Sequence, residues 1–184
     1  MCAVSLFCFP MKPEMKQTSD RIMGMLINCE FESVVAITDS LMKTDSAEPL
    51  FPLLRLCAIG LRDMDFDRIV DTVAFLNTYG KTIKTVEAYE KKYGKTSYSM
   101  TVTGFAYASH SAFYLLHKKY LSAINTGLTA VHLFQDIKSI DTANADADFF
   151  LGFYTYAKIE LRKKLWIILF WIPGSKRDGI RLLE

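Results

Sequence analysis

Proline and glycine are scarce in this chain of 184 residues, five of one and nine of the other, which argues against the turn punctuation of an all-β architecture. Cysteine is scarcer still. Cys2, Cys8, Cys29 and Cys57 include no pair at C-x-x-C spacing, and none follows Cys57. That distribution fits neither a zinc ribbon nor a disulfide framework, and small buried thiols are the simpler reading. An excess of one charge is missing too. A net charge of +2 and a pI of 8.3 fall short of the basic footprint of a nucleic-acid-binding domain. The apolar run Leu165 to Ile172 is well short of the ~20 residues that cross a bilayer.

Signatures of chemistry are absent as well. The chain holds no Gly-rich phosphate loop, no H-E-x-x-H and no G-x-S-x-G, so no catalytic residue and no cofactor are assigned. His110 and His117 share a helical face, but no carboxylate or cysteine stands at ligand spacing from them, so no metal site is assigned.

What is present is a globular composition. Half the residues are hydrophobic and 23% are charged, which excludes disorder, and the length suits one domain with a real core. "MCAVSLFCF" has the length of a signal-peptide core without its basic flank or cleavage site. A shortened export signal, a start at Met11 and a packed strap all stay open for it. Residues 1–15 are therefore set apart from a helical domain over 16–184.

Almost every later segment has helical period. "FESVVAITDSLMK" presents a broad apolar stripe, with Asn28 as its expected cap and Pro49 beyond its end. "KTIKTVEAYEKKYGK" is expected to stop at Gly94, and the stretch from Ser97 to Ile140 to split into two helices near Leu116 to Lys119. Small residues recur at Gly24 and Ala58, and at Ser40 and Ala74, about 34 residues apart, the period of a helical-hairpin repeat. A third match starts at Met100, Thr103, Gly104 and Tyr107, with Ala123 and Gly127 on its second helix. Asp148, Leu151, Gly152 and Thr155 begin a fourth. The segment after Gly80 has no place in that register. The fold class expected is all-α: a right-handed α-α superhelix of stacked antiparallel helical hairpins, cut at its C-terminal edge.

Asp148, Leu151, Gly152, Tyr154 and Tyr156, followed by Gly174, Arg177, Asp178 and Gly179, carry a resemblance to bacterial tetratricopeptide-repeat proteins of the cell envelope. The arrangement is more distantly similar to the inclusion-body clearance family of helical-repeat proteins. The resemblance implies a scaffold without catalytic machinery, whose partner is a protein or peptide. It also favours the cell envelope or periplasm over the cytoplasm.

In such arrays the first helices of successive hairpins line a concave groove. The expected lining is Arg21 and Asn28, then Arg55 and Arg62, then Tyr98 and Phe105, and last Phe149, Phe153 and Tyr156. Arginines suit a carboxylate, and aromatics supply contact area at low entropy cost. Two other readings stand beside the groove: a small-molecule or lipid pocket in the later hairpin, and membrane-surface docking without spanning. Docking would use Trp166, Phe170 and Trp171, an apolar edge expected to be exposed where the repeat array is cut.

Overall fold

A computed structural model describes residues 13–66 and 71–164. These residues form seven α-helices and no strand: α1 (Pro13–Ile27), α2 (Phe31–Thr44), α3 (Leu50–Asp65), α4 (Thr72–Tyr93), α5 (Ser97–Leu116), α6 (Tyr120–Ile140) and α7 (Ala145–Lys164). The all-α expectation therefore holds. Pro13, Glu14 and Met15 already belong to α1, although the sequence groups them with the N-terminal segment.

Local chemistry sets the helix ends. Asp71 accepts the Ala74 N–H at 2.8 Å to open α4, and Thr96 and Ser99 form a reciprocal capping box at the start of α5. Asn144 accepts the Ala147 N–H at 3.0 Å in the first turn of α7. Gly94, at φ 80°, closes α4 as expected. Two other ends have no glycine. Cys29 and Lys118 adopt φ of 60° and 58°, and Glu30 N–H bonds Met25 O just as Lys119 N–H bonds Tyr114 O. Both are Schellman closures with a side chain in the left-handed region, which costs about 1 kcal/mol. Asn28, expected as the cap of α2, is instead inside the closure of α1, and Glu30 precedes α2 without a side-chain cap.

Packing follows chain order. Each helix lies against its sequence neighbours, and α1 also packs on α3 and α3 on α5. The substantial pairings join helices one or two apart, as expected when each hairpin buries its apolar face on the next. Two cores result. The first spans α1 to α5 around Ile22, Leu53, Leu56, Phe75 and Val102, and the second lies between α5, α6 and α7 around Phe134, Ile137 and Phe150. Phe105 packs on both. Covered on both sides, α5 carries no Asp, Glu, Lys or Arg.

The small-residue register holds only in the later part. Ala58 and Gly104 are buried, but Gly24 is exposed with nothing within 4 Å of its would-be Cβ, and Ala36 and Ser40 face solvent. The inward face of α2 is instead Phe31, Val34, Thr38 and Met42. Phe75, Thr78, Thr82 and Val86 of α4 form a buried stripe with the same internal spacing. The "KTIKTVEAYEKK" stretch without a register is the second half of α4, continuous from Thr72.

Gly104 marks the tightest contact among the described glycines. A Cβ there would stand 2.6 Å from Cε2 of Phe134, whose ring is fully buried, stacked on Phe150 at 4.2 Å and edge-on to Phe105 at 5.1 Å. Flanked in this way, the ring has nowhere to swing. Gly104→Ala is expected to cost about 1–3 kcal/mol in urea unfolding, despite alanine's better helix propensity. Lys118→Gly acts in the other direction: relief of the left-handed residue should raise stability by up to about 1 kcal/mol in the same assay.

Candidate functional site

The arginines of the expected groove are committed inside the fold. Arg55 of α3 donates through Nε to Asp39 Oδ1 of α2 at 2.7 Å and through Nη1 to Thr78 Oγ1 of α4. Arg62 donates through Nη1 to Glu32 Oε1 of α2 at 2.9 Å, with its Nε 3.4 Å from Asp63 Oδ1. The reason is position: α3 packs against both α2 and α4, so a long side chain on its flank meets a neighbour's oxygen before solvent. Both residues tie helices together, which corrects their expected role as ligands for a partner's carboxylate. Arg21 and Asn28 are exposed on α1.

The aromatic members divide. The Tyr98 hydroxyl donates to Glu48 Oε1, which also accepts the Leu50 N–H at 3.0 Å, and burial pushes the Glu48 carboxyl above its usual pKa. The Tyr98 ring meets Tyr89 edge-on at 5.3 Å. Phe105 meets Phe134 and Phe150 edge-on, at 5.1 and 6.0 Å, and packs half-buried against both cores. Phe149, Phe153 and Tyr156 are 37%, 53% and 39% exposed, on one face of α7. The structure thus brings only these three together on an open surface. Trp166, Phe170 and Trp171 lie outside the described residues.

A second cluster surrounds His110 and joins α4 to α5. Its imidazole stacks on Tyr114 at 4.3 Å and tilts against Tyr79 at 4.2 Å, with Phe75 and Phe113 at 6.2 and 6.0 Å. Nε2 of His110 is buried without a hydrogen-bond partner, and so is Nε2 of His117. The Phe113 ring, 4.2 Å from His117, stacks on Phe75. Apolar surroundings of this kind favour the neutral form of His110. Among the described residues no group of three or more His, Cys, Asp or Glu is placed to hold a metal. Burial lowers the His110 pKa and pushes the Tyr79 hydroxyl up to about 12. Burial also pushes the Cys57 thiol up to about 11, so at neutral pH it is a protonated packing group, its Sγ 3.9 Å from Ser109 Oγ. The His110 box was half legible: both histidines stand out in the sequence, whereas Tyr79 comes from another helix and arrives only through packing.

Two depressions mark the described surface. One lies between α4 and the α2–α3 turn, and a smaller one is lined by Glu14, Met15, Thr18 and Phe51. The later hairpin borders neither of these two. No described helix is long and apolar enough to cross a membrane. Comparison with protein-family models, curated proteins and solved structures finds no match to this chain.

The His110 environment has a pH consequence. Its folded pKa is depressed below the ordinary 6.5, so on acidification the unfolded chain takes up this proton before the folded one. The contribution to stability is therefore complete above about pH 6.5 and is lost as pH falls through the folded value. His110→Phe keeps an aromatic ring in the box and removes the titration. Its urea midpoint should fall less than that of the wild type between about pH 7.5 and 5.5.

Proposed function

We propose that the chain is a non-enzymatic helical-repeat scaffold, a right-handed tetratricopeptide-like stack of hairpins that holds a protein or peptide partner. Sequential packing of α1 through α7, with α1, α3 and α5 side by side, supports the stacked architecture. The observation that carries the binding role is the row of Phe149, Phe153 and Tyr156 on the open face of α7. Their spacing puts three rings on one helical stripe, where a partner that covers them gains apolar contact. Rigid aromatic side chains give contact area at small entropic cost and make frequent binding hot spots. The partner face of this reading lies at the α7 end. The arginines of α3 serve the scaffold itself.

A random-peptide display library selected on the full chain tests the reading. Recovered peptides should bind the wild type and bind at least tenfold more weakly to a Phe149→Ser/Phe153→Ser double variant, which removes on the order of 1–2 kcal/mol of contact. The double variant should melt within about 2 °C of the wild type, whereas Phe105→Ala, a core truncation, should melt lower by at least 5 °C. Failure to recover any peptide that distinguishes the double variant from the wild type would sink the proposal.

A further inference from the structure

The outer side of α4 carries a depression of about 500 Å³, open to solvent, between that helix and the α2–α3 turn. Gly80 lies in it, with Leu76, Lys81 and Lys84 on the α4 side and Ser46 and Ala47 facing them from the turn. Gly80 interrupts a helix of 22 residues, where glycine is a poor choice. Nothing within the fold requires it: a Cβ at Gly80 would meet no atom within 4 Å. This is the reverse of Gly104, where a buried ring demands the missing side chain. Bare backbone at the bottom of an open depression lets a second chain come close.

The charges around it point to the kind of chain. Lys81 and Lys84 are exposed, and neither ammonium makes an ion pair among the described residues. The acidic side chains of the neighbouring turn bond groups within the fold and form no ion pair with either lysine. Asp45 Oδ1 accepts the Ala47 N–H at 3.1 Å, and Glu48 holds the Leu50 N–H and the Tyr98 hydroxyl. Leu76, 43% exposed, adds an apolar surface beside the two cations. We propose that this depression receives an extended acidic segment of a partner protein, with one apolar side chain on Leu76, its backbone over Gly80 and carboxylates on Lys81 and Lys84. The apolar wall and a net charge of only +2 favour such a segment over nucleic acid, whose backbone calls for a broader basic field. The site lies on α4, away from the aromatic row of α7, and goes beyond the scaffold reading. Either can fail alone.

The test titrates the full chain with a fluorescein-labelled decapeptide of alternating leucine and glutamate. The same peptide with lysine for glutamate and inorganic phosphate serve as controls. Saturable binding of the acidic peptide is expected, weakened at least tenfold by about 0.5 M salt and by the pair Lys81→Glu and Lys84→Glu. Gly80→Leu should weaken it at least tenfold while melting at or above the wild-type temperature, because its side chain enters open space and leucine is the better helix former. The Phe149→Ser/Phe153→Ser variant should bind the acidic peptide like the wild type. The proposal is overturned if the acidic peptide does not saturate or the lysine peptide binds equally well. It is equally overturned if millimolar phosphate displaces the peptide, which would make this a simple anion site, or if Gly80→Leu leaves binding intact. Loss of binding in the α7 variant also overturns it, by moving the peptide to the aromatic row.

Discussion

The ring of Phe134, lodged over Gly104 between Phe105 and Phe150, is the contact on which the rest of the structure depends. It brings α6 onto α5 at a distance no side chain at Gly104 would allow. Phe105, on the next position of α5, belongs at once to the core of the earlier helices and to that of the later ones. A displaced Phe134 would therefore disturb both cores through one shared wall. Close packing makes such a joint either made or unmade, because interiors at crystal-like density have little room to give by degrees.

Around that joint, polar groups hold the helices in order. Arg55 links three successive helices through Asp39 and Thr78, and Arg62 adds a second link to α2 through Glu32. Lys138 of α6 meets Asp148 of α7 at 2.8 Å. Ion pairs as exposed as Arg62–Glu32 stabilise little by themselves, so their main effect is to set which faces meet. The hydrophobic area that those faces cover supplies most of the stability. Two surfaces escape this ordering, the aromatic row of α7 and the lysine-flanked depression of α4. Both keep large side chains exposed: Phe149 and Phe153 on the first, Leu76, Lys81 and Lys84 on the second.

Much of the fold was legible in the sequence, and the reason is periodicity. The stripe of "FESVVAITDSLMK", the stop at Gly94 and the break near Leu116 are local signals, and the helices obey them. The helix end at Cys29 was harder to see because the closing residue is not glycine, the usual marker. The repeat register went astray in α1 and α2 for a related reason. Small residues suggest the inward face of a hairpin, but Gly24, Ala36 and Ser40 are small on an exposed surface, where size meets no constraint. The candidate groove failed at Arg55, Arg62 and Phe105 because spacing places a residue on a helix face without saying what stands opposite.

By itself, then, the sequence determined the all-helical build of the described residues and most of their helix boundaries. Those properties follow from residue type and short-range spacing. Only the tertiary structure decided that Gly104 serves a ring from α6 while Gly80 serves nothing within the fold. It also decided that two arginines are internal ties, and that Phe105 is core whereas Phe149 and Phe153 are surface. Each of these depends on which neighbour lies across a few ångströms of space, and that neighbour comes from a distant part of the chain.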